Sequence, residues 1–378
     1  MRIEQLRWTA ARGWEGGAIG ALGDRAHLVL AFAGTALLKD GRLLDAVRRA
    51  YPAARVLAGS TAGEIFGTEV SDDAFVVTAI AFEHTVVKGS AATVRDADDS
   101  AAAGETLAVA LDPRGLVHVL VISDGLAVNG SALVRGLSAH LPAGVTITGG
   151  LSGDGARFQE TLVAWDGPAA PRTIAAVGFY GDRLRVGHGS LGGWDSFGPE
   201  RQVTRSRGNV LYEVDGRPAL ALYKTYLGDH AKELPASGLL FPLSLRTEHG
   251  GGLVRTILAV DEAEGSMTFA GDVPEGAFVR LMKANFDRLI DGAAEAARAS
   301  GERLDVVPAE LAILISCVGR KLVLRQRIEE EVESVREVLG PHPVLAGFYS
   351  YGEISPFIPT ARCELHNQTM TITTLSEH

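Results

Sequence analysis

Val56-Leu57-Ala58-Gly59-Ser60-Thr61-Ala62-Gly63-Glu64 is an apolar run of strand length that stops in a glycine-bounded turn ending on an acid. The pattern returns as Thr146-Ile147-Thr148-Gly149-Gly150-Leu151-Ser152-Gly153-Asp154. It returns again as Val344-Leu345-Ala346-Gly347-Phe348-Tyr349-Ser350-Tyr351-Gly352-Glu353. An earlier apolar run precedes each one: residues 28–33 before Gly34, 117–122 before Gly125, and 311–315 before Gly319. Gly34 to Gly59 and Gly125 to Gly150 are both 25 residues apart, and Gly319 to Gly347 is 28. A third apolar run follows each turn, over 74–82, 174–180 and 370–375.

The stretch inside each interval has helical periodicity. Ile328, Val332, Val335 and Leu339 recur at steps of 4, 3 and 4, with Glu329, Glu330, Glu333 and Glu337 off that stripe. Leu44, Val47 and Tyr51 do the same before Pro52 stops the helix. The unit therefore reads strand, helix, strand, glycine-acid turn, strand. Its first two strands run parallel through a crossover and the third returns antiparallel. The expected fold class is α/β, with mixed sheets and packed helices. It divides into two domains, 1–208 and 209–378, built from this repeated unit.

Gly125 to Gly319 spans 194 residues, against 91 from Gly34 to Gly125, which leaves room for a diverged fourth unit. In that interval residues 212–218 read as a strand and tight turn. Pro218 suits the first turn of a helix through Ala219, Leu222 and Tyr226. Val279, Met282, Phe286 and Leu289, at steps of 3, 4 and 3, predict a longer helix.

Composition narrows the function classes. Hydrophobic residues are 46% and charged residues 22% of the 378, which is ordinary globular usage. The 45 glycines are the outlier. A net charge of −10 argues against nucleic acid and against anionic membrane surfaces. Two cysteines make neither a disulfide framework nor a cysteine zinc cluster, and suit a reducing compartment. The N-terminal residues lack a signal-peptide core, and the apolar runs are too short to span a bilayer. The reading is a cytoplasmic protein without membrane insertion.

Common enzyme signatures fail. The glycines at 149–155 lead into a strand-like run, where a dinucleotide fingerprint needs a helix, and there is no P-loop. The hydrolase elbow G-x-S-x-G and metal-ligand histidine spacings are absent. Candidate chemistry concentrates at the turns. Ser316-Cys317-Val318-Gly319-Arg320 lies between a strand and a helix, where α/β sheets bind ligands. Cys317, beside a helix N-terminus and Arg320, reads either as a reactive thiol or as a small buried hydrophobe. Arg320 reads as a grip for a ligand carboxylate, or as half of a surface ion pair. Ser60, Glu64, Asp154 and Glu353 either line a pocket or serve the turns themselves. Tyr349 and Tyr351 favour a pocket around Glu353. His366 and Asn367 point into that pocket or serve turn chemistry. Tyr223 packs, or reaches a pocket.

Taken together these motifs resemble a known family. Residues 311–320, 347–354 and 365–367, with 212–227, resemble the FIST C domain; 58–64 and 149–155 resemble the FIST N domain. The resemblance covers nearly the whole chain. It implies a non-catalytic sensory protein of signal transduction that binds a small ligand such as an amino acid. Output would pass to a separate protein, a histidine kinase or a cyclic-dinucleotide enzyme. Some stand-alone members are haem-binding nitric oxide sensors that regulate a kinase; under that alternative His366 and His188 are the ligand candidates. A second alternative is an enzyme using Cys317. Ala58-Gly59-Ser60 lacks the cysteine expected beside the glycine, a departure from the family's pattern.

Overall fold

The computed structural model describes residues 1–246, 252–302, 304, 307–356 and 363–378. Each repeat folds as its apolar pattern dictates. The lead strands Leu28–Ala33, Leu116–Ser123 and Leu311–Cys317 pair in parallel with Arg55–Ser60, Thr146–Leu151 and Val344–Ser350. The chain then returns antiparallel on the other side of the lead strand, as Phe75–Ala81, Thr173–Tyr180 and Met370–Glu377. The protein is thus a mixed α/β fold.

The lead strands are continuous apolar runs because both of their faces are buried. In the first, Val29 and Ala31 pack with Leu44 and Val47 of the helix Arg42–Ala50, while Leu30 and Phe32 face the centre of the molecule. The second divides in the same way. Val119 and Val121 meet Leu133 and Leu137 of the helix Gly130–His140, and Leu120 and Ile122 face the centre. In the third, Leu314 packs with Val332 and Val335 of the helix Ile328–Leu339, while Ile313 and Ile315 face the centre. The three inner faces share one core, in which the rings of Phe32 and Phe348 lie 4.6 Å apart.

The strand leaving each turn abandons its own sheet. Glu64–Phe66 of the first unit pairs with the third unit's Val344–Ser350. Gly352–Pro356 of the third pairs with the second unit's Thr146–Leu151. Val163–Trp165 of the second pairs with the first unit's Arg55–Ser60. The exchange is cyclic, so each of the three six-stranded sheets borrows an edge from another unit. Three backbone bonds repeat the cycle at the turns. The N–H of Ala62 donates to Tyr349 O (2.8 Å), that of Tyr351 to Leu151 O (3.0 Å), and that of Gly153 to Ser60 O (3.0 Å). This close approach requires small residues. A Cβ on Gly347 would lie 1.8 Å from Leu314 O of the neighbouring strand.

Two sequence expectations are corrected between the second and third units. The described residues of 194–284 form an eight-stranded antiparallel sheet, not a fourth strand-helix-strand unit. The 279–289 apolar stripe is no single helix. Phe278–Ala284 is a strand and the helix runs Phe286–Glu302, so the steps of 3 and 4 straddle two elements. The position 208/209 falls in the turn between Trp194–Arg207 and Val210–Val214, which pair as a hairpin. Among the described residues no helix is long and apolar enough to cross a membrane.

Candidate functional site

The turn acids sit inside the protein. Glu64 is fully buried, accepts the Thr61 hydroxyl, and takes the N–H of Ala74 at 2.9 Å. Glu353 repeats this arrangement: it accepts from Ser350 Oγ at 2.6 Å and from the Thr369 N–H and hydroxyl at 3.2 and 2.9 Å. Asp154 does not. By strand pairing, the position of Glu64 and Glu353 is taken in the second unit by Val163, which faces Gly59 as Glu353 faces Gly150 and Glu64 faces Phe348. Asp154 instead accepts the N–H groups of Phe158, Gln159 and Glu160 and the Tyr351 hydroxyl. Burial opposes its charge, but these four donors prevail and hold its carboxyl below the usual range.

Burial pushes both glutamates up to about 8 against the hydrogen bonds that favour their charge. Folded protein therefore keeps two protons that the unfolded chain loses near the ordinary carboxyl value of about 4.3. Stability contributed by these groups falls as pH rises from there to about 8, and levels above it. Buried His118 and His366 are pushed down to about 3 and about 4, so their opposing contribution is complete by about pH 6.5. Urea midpoints between pH 6.5 and 8.5 should decline with pH, and Glu64→Gln/Glu353→Gln should flatten that decline. An unchanged slope would show that these carboxyls titrate normally.

The other turn residues also face inward. Arg320, expected to grip a ligand, is fully buried and bound to Glu331 at 2.8 Å, with further bonds to Gly192 O and Leu289 O. Glu331 also accepts from Ser316 Oγ (3.1 Å) and the Tyr349 hydroxyl (2.7 Å). Tyr351 stacks on Phe158 and donates to Asp154. Asn367 donates to Tyr351 O and accepts from the Thr256 N–H, both at 3.4 Å. Ser60 Oγ accepts from the Leu162 N–H. Tyr223 lies apart, in the inserted sheet's core, bonded to Phe241 O.

Of its two readings, Cys317 takes that of the small buried hydrophobe. It is buried, and burial together with nearby Glu353 pushes its thiol up rather than down. It should resist alkylation at pH 8 in the folded protein and react only as urea unfolds the chain; rapid native labelling would contradict this. Both histidines named for haem are buried. The Nε2 of His366 donates to Ser355 O at 2.9 Å. His188, also buried, stands in the strand Leu184–Leu191, paired with the third unit's return strand. Among the described residues no cluster of histidine, cysteine or carboxylate groups could hold a metal ion.

The structure opens one strand away from these turns. A groove of about 1330 Å³ runs between the second unit's helix Gly130–His140 and the inserted sheet. Ser131, Arg135 and Ala139 form one wall, Arg246, Leu253, Arg255 and Phe278 the other, with Cys363 and Glu364 between them. The strand Cys363–His366 links it to the buried turns: His366 pairs in register with Glu353 at one end, and Cys363 and Glu364 reach the groove at the other. None of the sequence-selected residues lines this groove. Of its arginines, the buried Arg255 was visible only indirectly. Arg255 follows Leu253 by two, the spacing of residues sharing one face of a strand.

An uncharacterized protein of Methanocaldococcus jannaschii is 22% identical over 210 residues, covering 50% of this chain. The chain spans only 39% of that relative's length. A crystal structure of cyanuric acid hydrolase from A. caulinodans overlays with a TM-score of 0.25 and 9% identity, over 78% of this chain and 67% of that one. The FIST N domain model matches residues 27–217 and the FIST C domain model residues 219–356. Spanning nearly the whole chain, these two matches make the protein a member of the FIST family, the sensory domains of signal transduction proteins.

Proposed function

We propose that this chain is a non-catalytic sensor that binds a small metabolite, such as an amino acid, in the groove. A separate signalling protein, a histidine kinase or a cyclic-dinucleotide enzyme, would read the result. One observation carries the reading: the groove's walls come from both family domains, residues 131–147 on one side and residues 245, 246 and 253–278 on the other. A ligand there touches both halves at once. A ligand that binds one arrangement of the two halves better than another shifts the population toward it by that differential affinity. The buried Cys317 lends no support to an enzymatic reading, and the packed histidines lend none to a haem sensor.

A thermal-shift screen of the free amino acids and small organic acids tests this. A ligand at 100 times its Kd stabilises by about 2.7 kcal/mol, enough to raise the melting temperature measurably. Ala139→Trp, on the groove's exposed helical wall, should abolish that rise while leaving the unliganded melting temperature within a few degrees of the parent. No shift from any compound, or the same shift in the variant, would overturn the assignment.

A further inference from the structure

Among the described residues Arg7, Arg255 and Arg320 are buried, and the last two, at a groove and at a turn, differ in one respect. Arg320 has the carboxylate of Glu331 at 2.8 Å. Arg255, 3% exposed, has no carboxylate within ion-pair distance among the described residues. Its Nε donates to Asp272 O at 2.9 Å, and its Nη1 to Leu365 O at 2.9 Å and Val254 O at 3.4 Å. These carbonyls fix the guanidinium plane without neutralising it. Nη2 makes no hydrogen bond to a described residue. Gly271 lets the group lie close, since a Cβ there would be 3.1 Å from Arg255 Cζ.

A buried cation with no carboxylate at ion-pair distance is costly. Burial lowers the pKa of Arg255 to about 10, although the charges of Glu364 and Asp272 act to raise it. The Asp272 carboxylate is already taken, by Asn129 Nδ2 at 2.8 Å and Arg135 at 2.7 Å. Arg255 lines the groove, and so does Ser131, whose hydroxyl can donate alongside it. The geometry is that of a prepared cation awaiting an anion.

We infer that Arg255 is the groove's ligand anchor and receives a carboxylate, an assignment that rests on the groove being the binding site. A monoanion suits the place better than a phosphate dianion, because Asp272 and Glu364 both lie near enough to act on the Arg255 charge. Removing the carboxylate from a ligand leaves the cation uncompensated, so a carboxamide analogue should bind at least about tenfold more weakly.

The test uses the full chain labelled with ¹⁵N-arginine, observing the Arg255 Nε–Hε resonance. Acetate should move it to saturation, inorganic phosphate should move it less, and acetamide should leave it in place. Arg255→Lys identifies the resonance by its loss. Should that variant not fold, Ala139→Trp, which leaves Arg255 intact, supplies the control by blocking the acetate response. A resonance indifferent to acetate, or moved equally by acetamide, overturns the inference. If uncharged compounds stabilise the protein and lose that effect in Ala139→Trp while Arg255 stays unmoved, the groove stands and the carboxylate anchor falls. If acetate moves Arg255 equally in Ala139→Trp, the anchor stands and the groove assignment falls.

Discussion

Gly347→Ala is expected to destabilise the fold by more than about 4 kcal/mol. The added Cβ would lie 1.8 Å from Leu314 O and 2.7 and 2.9 Å from the carbonyl carbon and nitrogen of the same residue. All three are backbone atoms of the parallel neighbour, in register with Gly347. The strand cannot retreat, because its other edge holds Ile65 of the exchanged strand opposite the same residue. Ordinary overpacking, relieved by side chains that give way, costs about 1–3 kcal/mol. Here no side chain can give way, and a loss above about 4 kcal/mol is expected, against a total stability of about 5–15 kcal/mol for a typical domain. Gly301→Ala is the control: its nearest atom is the Leu339 Cδ2 at 3.6 Å, within the helix Phe286–Glu302. Soluble yield and urea midpoint decide the matter. A Gly347→Ala protein within about 1 kcal/mol of the parent would refute the close approach.

Arg320→Met is the second large effect. It leaves Glu331 buried with only the hydroxyls of Ser316 and Tyr349, and frees the carbonyls of Gly192 and Leu289. Breaking a buried ion pair from one side costs about 3–5 kcal/mol, chiefly for the stranded charge. Adding Glu331→Leu removes that charge, so the double variant should be more stable than the sum of the single losses predicts. Urea midpoints of the two single variants and the double measure the coupling. Additivity within about 0.5 kcal/mol would mean that Arg320 and Glu331 act independently.

The turn acids show where sequence spacing misleads. Glu64, Asp154 and Glu353 look alike because each follows a glycine. Yet backbone pairing aligns Glu64 and Glu353 with Val163, across the insertion that Asp154 caps. Spacing along a chain fixes local geometry, whereas equivalence in a sheet is fixed by what lies opposite. Arg320 and Cys317 show the same limit for depth. Their position at a strand end was legible, but how far below the surface that strand end lies depends on the two other units packed against it.

The sequence by itself determined the repeated unit, its parallel strand pairs, its helices and its antiparallel return, because each rests on local periodicity and glycine-bounded turns. It also carried the family, through motifs in order along the chain. Only the tertiary structure decided the cyclic exchange of strands, since an edge strand pairs with whichever sheet lies within reach after its turn. That exchange buries the turns for which the sequence left a pocket and turn chemistry both open. The groove assembles elsewhere, from segments around 135, 255 and 364 that lie more than a hundred residues apart, and no local pattern records their meeting.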